Sequence, residues 1–210
     1  MELISGILSN NAAKVRLVLG EKGIDYHVIE VLWTKENAWE PKPALLLEKN
    51  PRGEVPVLMD GDLTLWDSTV IAEYLEDKYP LVPLMPADLV SKAECRLWED
   101  EGDQNQLHVG VLIRDVFLGE PGGVLTDEAT NALAALTEFY RRCDQRLKGR
   151  DYLCDAFSVA DISVFMIVVF STTLGSQLEG EHLMAWFERM NARPVVKAEV
   201  EAILGVVAGL

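Results

Sequence analysis

The chain is poor in the residues that build metal sites and disulfide frameworks. Its 210 residues include only 3 cysteines and 3 histidines. Cys95, Cys143 and Cys154 form no C-x-x-C pair and are odd in number, which points to a reduced, cytoplasmic protein. His27, His108 and His182 are scattered without metal-ligand spacing, so no metal is expected. Basic charge is also short: 19 Lys and Arg stand against 34 Asp and Glu, for a net charge of −15. That field repels a phosphate backbone and an anionic bilayer, which argues against nucleic acid and membrane surfaces as partners. Long apolar runs are missing. The most apolar stretch, ISVFMIVVF from Ile162 to Phe170, is far too short to cross a bilayer and fits a buried helix. The N-terminal MELISGILSNN lacks a basic region followed by an apolar one, so no signal peptide is expected.

What is present is enough apolar material for a real core, 49% of residues. Glu2 to Ser5 reads as a short strand. Ser9 precedes NNAAKVRLVLGEKG, where Ala12, Val15, Val18 and Leu19 recur at helical spacing and Gly23 supplies a stop. Asp25 to Leu32 carries β-formers and reads as a strand. A loop, WTKENAWEPKP, and a short helix, ALLLEKN, follow. VPVLM and LTLWD, joined by DGD, form a hairpin signal. Asp67 or Ser68 then caps a helix that places Ile71, Leu75 and Tyr79 on one face.

Residues 80–88, PLVPLMPAD, contain three prolines and read as a linker. Everything beyond reads as helix. A long helix from Asp88 to about Leu118 ends in the turn GEPGG. Asp127 to Leu147 follows, then an apolar helix from Ser158, another at His182 to Asn191, and a last one with Pro194 in its first turn. The organisation expected is an α/β domain over residues 1–80, a linker over 81–87, and an all-helical domain over 88–210.

One stretch resists this simple reading. In NPRGEVPVLMDGD, residues 50–62, Pro56 opens what is otherwise a strand, where a missing N–H breaks the ladder. An X-Pro bond is also the one place where a cis peptide is readily accessible.

Four segments, in this order, carry a resemblance: SNNAAKVRLVLGEKGIDY, NPRGEVPVLMDGD, LWDSTVIAEYLEDKYP and FSVADISVF. Together they resemble the cytosolic glutathione S-transferase family across essentially the whole chain. A serine stands where other classes carry tyrosine or cysteine, so phi- and theta-like bacterial members look nearest. The resemblance implies a thioredoxin-like α/β domain with a cis-proline at Pro56, packed on an all-α bundle, in a cytoplasmic homodimer with a role in detoxification. It implies glutathione as co-substrate and a small hydrophobic electrophile as second substrate. A glutathione-dependent isomerase or dehalogenase, or a non-catalytic scaffold of the same fold, are the alternatives.

The resemblance also assigns roles. Ser9, by position alone a helix cap, matches the serine that donates a hydrogen bond to the glutathione sulfur; Ser5, Asn10 and Asn11 are neighbouring alternatives. The backbone of Val55, before Pro56, would pair with the cysteinyl unit. Asp67 and Ser68 would grip the γ-glutamyl ammonium and carboxylate. Lys42, with Lys35 as alternative, would meet the glycyl carboxylate. Glu54 departs from the pattern: the family often has an amide there, and a carboxylate would repel the γ-glutamyl carboxylate. Leu107 and Val111 on the long helix and Trp39 in the loop are candidates for the wall of the hydrophobic pocket, with core packing as the plainer reading. Ser158 to Asp161 fits a capping box of structural use.

Overall fold

The computed structural model of the chain describes residues 1–119 and 123–210; the middle of the expected GEPGG turn lies outside the described residues. The elements run β1 (Glu2–Ser5), α1 (Asn10–Glu21), β2 (His27–Glu30), α2 (Ala44–Lys49), β3 (Val57–Asp60), β4 (Leu63–Trp66), α3 (Ser68–Lys78), α4 (Leu89–Phe117), α5 (Asp127–Leu147), α6 (Val159–Thr173), α7 (Glu181–Asn191) and α8 (Pro194–Val207). The β-α-β-α-β-β-α order expected from periodicity is present.

The first compact unit comprises Met1–Leu84 together with Pro194–Leu210. Its sheet has the order β2-β1-β3-β4. β1 and β2 are parallel, which requires the crossover that α1 supplies. β1 and β3 are antiparallel, with Ile4 opposite Val57. β3 and β4 form the expected hairpin, with Asp60 opposite Leu63 and Val57 opposite Trp66. Gly61, at φ +61°, takes the first place of its two-residue loop, where a positive φ favours glycine. Leu3 and Ile4 of the central β1 are fully buried. Ile4, Val31, Leu46 and Val57 form a core cluster, joined at its edge by Trp39 and Val55. This is the thioredoxin-like arrangement.

The last helix joins this first unit, whereas the sequence reading placed it in a helical domain over 88–210. The cause is a close approach between α1 and α8: a Cβ on Gly20 would meet Val195 Cγ1 at 2.5 Å, so only glycine lets the helices touch. One turn along the same face, Arg16 of α1 pairs with Glu199 of α8.

The second unit, Met85–Arg193, contains α4 to α7. From Val159 to Ser171, α6 is buried on every side, as an all-round apolar helix must be. Gly102 lets α4 approach it, since a Cβ there would lie 2.3 Å from Ser163 Oγ. The start of α6 is organised by the buried Asp161. Its carboxylate accepts from Leu153 N (2.9 Å), Ser158 N (3.0 Å), Ser158 Oγ (3.0 Å) and Trp186 Nε1 (2.8 Å). Burial pushes this carboxyl up to about 6, against the pull of those four donors. All three cysteines are buried and free. No helix among the described residues is long and apolar enough to cross a membrane.

Candidate glutathione site

The strand register of the first unit gathers the sequence-selected residues at one end of the sheet. Val57 lies opposite Ile4 on one side and Trp66 on the other. The segment before Val57, the segment after Ile4 and the segment after Trp66 therefore emerge together. These are Glu54–Val55–Pro56, the loop to Ser9, and Asp67–Ser68. Two helix N-termini, those of α1 and α3, open at this end. Lys14 of α1 ties them, its Nζ lying 3.0 Å from Thr69 Oγ1 in the first turn of α3.

Ser9 is the N-cap of α1, and its Oγ accepts from Ala12 N at 3.2 Å. Accepting leaves the hydroxyl proton available for donation. Ser9 is half-buried. Free N–H groups and the helix dipole favour negative charge at this point. Ser5 is not an equivalent donor to a ligand. It is 1% exposed, and its Oγ accepts from Arg16 Nη1 at 2.5 Å. Asn10 is buried and Asn11 half-buried.

The Val55–Pro56 peptide bond is cis, as the family resemblance implied. The turn before it is held by Asn50, which is 2% exposed. Asn50 Oδ1 accepts from Arg52 N at 2.9 Å, and its Nδ2 donates to the Glu54 carbonyl at 2.7 Å. Among the described residues, the Val55 N–H and C=O take part in no hydrogen bond. Val55 is half-buried, and an unpaired backbone segment at a sheet end can accept an extended peptide by β-augmentation. The Glu54 side chain is exposed beside it.

Lys42 lies across this turn. A Cβ on Gly53, at φ +62°, would meet Lys42 Cδ at 3.1 Å and Nζ at 3.3 Å. Periodicity could not foresee that contact. Lys42 is half-buried, and its Nζ has no ion-pair partner among the described residues. The turn before Val55 thus carries an uncommitted cation beside Gly53.

Asp67, not Ser68, is the cap of α3. Its Oδ1 accepts from Thr69 N (3.0 Å) and Val70 N (3.3 Å). The backbone of Asp67 sits at φ +77°, ψ 123°, a conformation that costs a non-glycine residue about 1–3 kcal/mol and clusters at binding sites. Ser68 is 4% exposed at the first position of the helix.

The proposed pocket residues are split. Trp39 belongs to the first unit, where its ring covers the loop that carries Ser9; a Cβ on Gly6 would lie 2.3 Å from it. Leu107 and Val111 belong to α4 in the second unit. Both stand off the buried face made by Cys95, Glu99, Gly102, Asn105, Val109 and Leu112, and Leu107 is 73% exposed.

Comparison with known proteins identifies the family. Residues 3–83 match the glutathione S-transferase N-terminal domain family, and residues 114–194 the corresponding C-terminal domain family. A probable glutathione S-transferase GSTF2 of Oryza sativa subsp. japonica is 33% identical, with 92% of this chain and 93% of that protein covered. The crystal structure of a theta class glutathione S-transferase from Xanthomonas axonopodis pv. citri, with glutathione bound, is 26% identical with a TM-score of 0.80, covering 95% of this chain and 96% of that one. A glutathione S-transferase structure from Methylobacillus flagellatus, also with glutathione bound, is 29% identical with a TM-score of 0.76, covering 94% and 98%. The chain therefore belongs to the glutathione S-transferase family of enzymes.

Proposed function

We propose that the protein binds glutathione along the sheet end described above, ionises its thiol at Ser9, and transfers the sulfur to a hydrophobic electrophile or reduces a hydroperoxide. The observation that carries this reading is the pairing of Val57 with both Ile4 and Trp66, which gathers Ser9, Val55 and Asp67–Ser68 around one end of the sheet. The cysteinyl backbone pairs with Val55, the γ-glutamyl end meets Asp67 and Ser68, and the glycyl carboxylate meets Lys42. The Ser9 hydroxyl donates to sulfur while the α1 N-terminus favours the anion, so the thiol gives up its proton near neutral pH. With 1-chloro-2,4-dinitrobenzene, the thiolate attacks the chlorine-bearing carbon. The C–S bond forms, the C–Cl bond breaks, chloride leaves, and the thiol proton passes to solvent. The enzyme works as a homodimer, as the family resemblance implies.

Turnover of 1-chloro-2,4-dinitrobenzene by Ser9→Ala is the test. The expected result is a fall of about 100-fold in kcat, the usual loss when one donor to a developing anion is removed, with the melting temperature shifted only slightly. An unchanged rate removes Ser9 from the chemistry. A second reading, a glutathione-transferase-like scaffold without catalysis, is favoured by the exposed carboxylate of Glu54 beside the cradle. Absence of heat in a calorimetric titration with millimolar glutathione would select it.

A further inference from the structure

A buried guanidinium lies behind the Ser9 loop. Arg16, in the apolar run AAKVRLVL of α1, is 8% exposed. Its Nη1 donates to Ser5 Oγ at 2.5 Å and to the Gly6 carbonyl at 3.0 Å, and its Nη2 donates to the Ile7 carbonyl at 3.1 Å. Nε and Nη2 donate to the Glu199 carboxylate, the shortest contact being 2.5 Å. The planar fork of arginine thus bridges the end of β1, the first two residues of the loop and a carboxylate on α8. The Gly6 carbonyl is shared: it also accepts from the Ser9 N–H at 3.1 Å. Gly6 also lies against Trp39, whose ring a Cβ there would meet at 2.3 Å. Tyr26 stands near the same charges. Burial raises its phenol above the ordinary range, with Arg16 pulling it down and Glu199 pushing it up.

From these contacts we infer that Arg16 and Glu199 are positioning residues for Ser9, with the C-terminal helix fixing the loop that presents the hydroxyl to the glutathione sulfur. The inference rests on the role of Ser9 given above. Glu199 orients the guanidinium, the guanidinium fixes the Gly6 and Ile7 carbonyls, and the Gly6 carbonyl holds the Ser9 amide. Neither charged residue touches the substrate. The arrangement gives α8 a functional reason to pack on the first unit, 183 positions along the chain from Arg16.

The test compares the full-length protein with Glu199→Gln, Arg16→Lys and the double variant Arg16→Met/Glu199→Met. Amide hydrogen exchange over residues 5–10 is followed without ligand, alongside kcat, KM for glutathione, and the pH profile of kcat. The expected result is faster exchange confined to that segment and a kcat lower by about ten- to a hundredfold, the scale of a misplaced catalytic group. KM for glutathione stays within about twofold, because the groups proposed to hold its ends are untouched. The acid limb of the kcat profile moves to higher pH as the thiol loses its donor. The double variant removes both buried charges, so its melting temperature recovers relative to the single variants. Its kcat and exchange protection do not recover. Exchange over residues 5–10 that is unchanged in all three variants overturns the inference. So does a loss of kcat that follows melting temperature throughout and is repaired in the double variant. Should the wild type turn over no electrophile, the proposed function fails, and the exchange data still decide whether the pair holds the loop.

Discussion

Ser9 and Ser158 do the same job in the backbone and differ in what their hydroxyls bind. Each caps the N-terminus of a helix, α1 in the first unit and α6 in the second. Ser158 is 2% exposed, and both its N–H and its hydroxyl donate to Asp161, so its proton is committed inside the protein. Ser9 is half-buried and its hydroxyl only accepts, from Ala12 N, so its proton has no partner among the described residues. A capping serine is structural when its proton is already used and chemically available when it is not. The acid three residues after Ser158, absent after Ser9, marks the difference in the sequence, and the partner of the hydroxyl shows it in the structure.

The largest expected effect lies on the structural side. Asp161→Ala would strand four donors in the core, the amides of Leu153 and Ser158, the Ser158 hydroxyl and the Trp186 indole. Denaturant unfolding should show a loss of about 3–5 kcal/mol, as for a broken buried charged network. A loss under about 1 kcal/mol would erase the contrast between the two serines.

A pH effect of smaller size follows from the same residue. Burial raises the Asp161 carboxyl from its ordinary acid value to about 6, so the folded state binds this proton more tightly than the unfolded state does. The stabilisation is fully present below about pH 4 and is lost as pH rises through about 6. Measured against Asp161→Asn, whose side chain does not titrate, the wild type should lose about 1–3 kcal/mol across that window. Parallel stability curves for the two proteins would contradict the assignment.

The smallest effect belongs to the ligand side. Glu54→Gln removes an exposed carboxylate proposed to lie near the γ-glutamyl end. KM for glutathione should fall by about two- to fivefold, the range of an exposed charge interaction, and the gain should shrink in high salt. A rise in KM would mean that Glu54 helps to bind glutathione.

Much of this was legible in the sequence because it is local. The D-G-D hairpin, the caps at Ser9 and Ser158, the apolar α6 and the out-of-place Pro56 each follow from spacing over a few residues. The choice between Asp67 and Ser68 as cap was not legible, since adjacent capping residues compete and the backbone angle at Asp67 decides. Nor was the side chosen by α8: its apolar face says that it is buried, while the close approach permitted by Gly20 says against what. The Arg16–Glu199 bridge, the contact of Lys42 with Gly53 and the hold of Asn50 on Glu54 all join side chains whose pairing depends on the folded path of the chain. An arginine inside AAKVRLVL was the one available hint, because a buried cation needs a partner.

The most direct measurement is an ultraviolet titration of the thiolate of glutathione bound to the wild type and to Ser9→Ala. If the Ser9 hydroxyl and the start of α1 stabilise the anion, the bound thiol in the wild type titrates about one to two units below its free value and moves back toward that value in Ser9→Ala. The same thiol pKa in both proteins would contradict the role of Ser9.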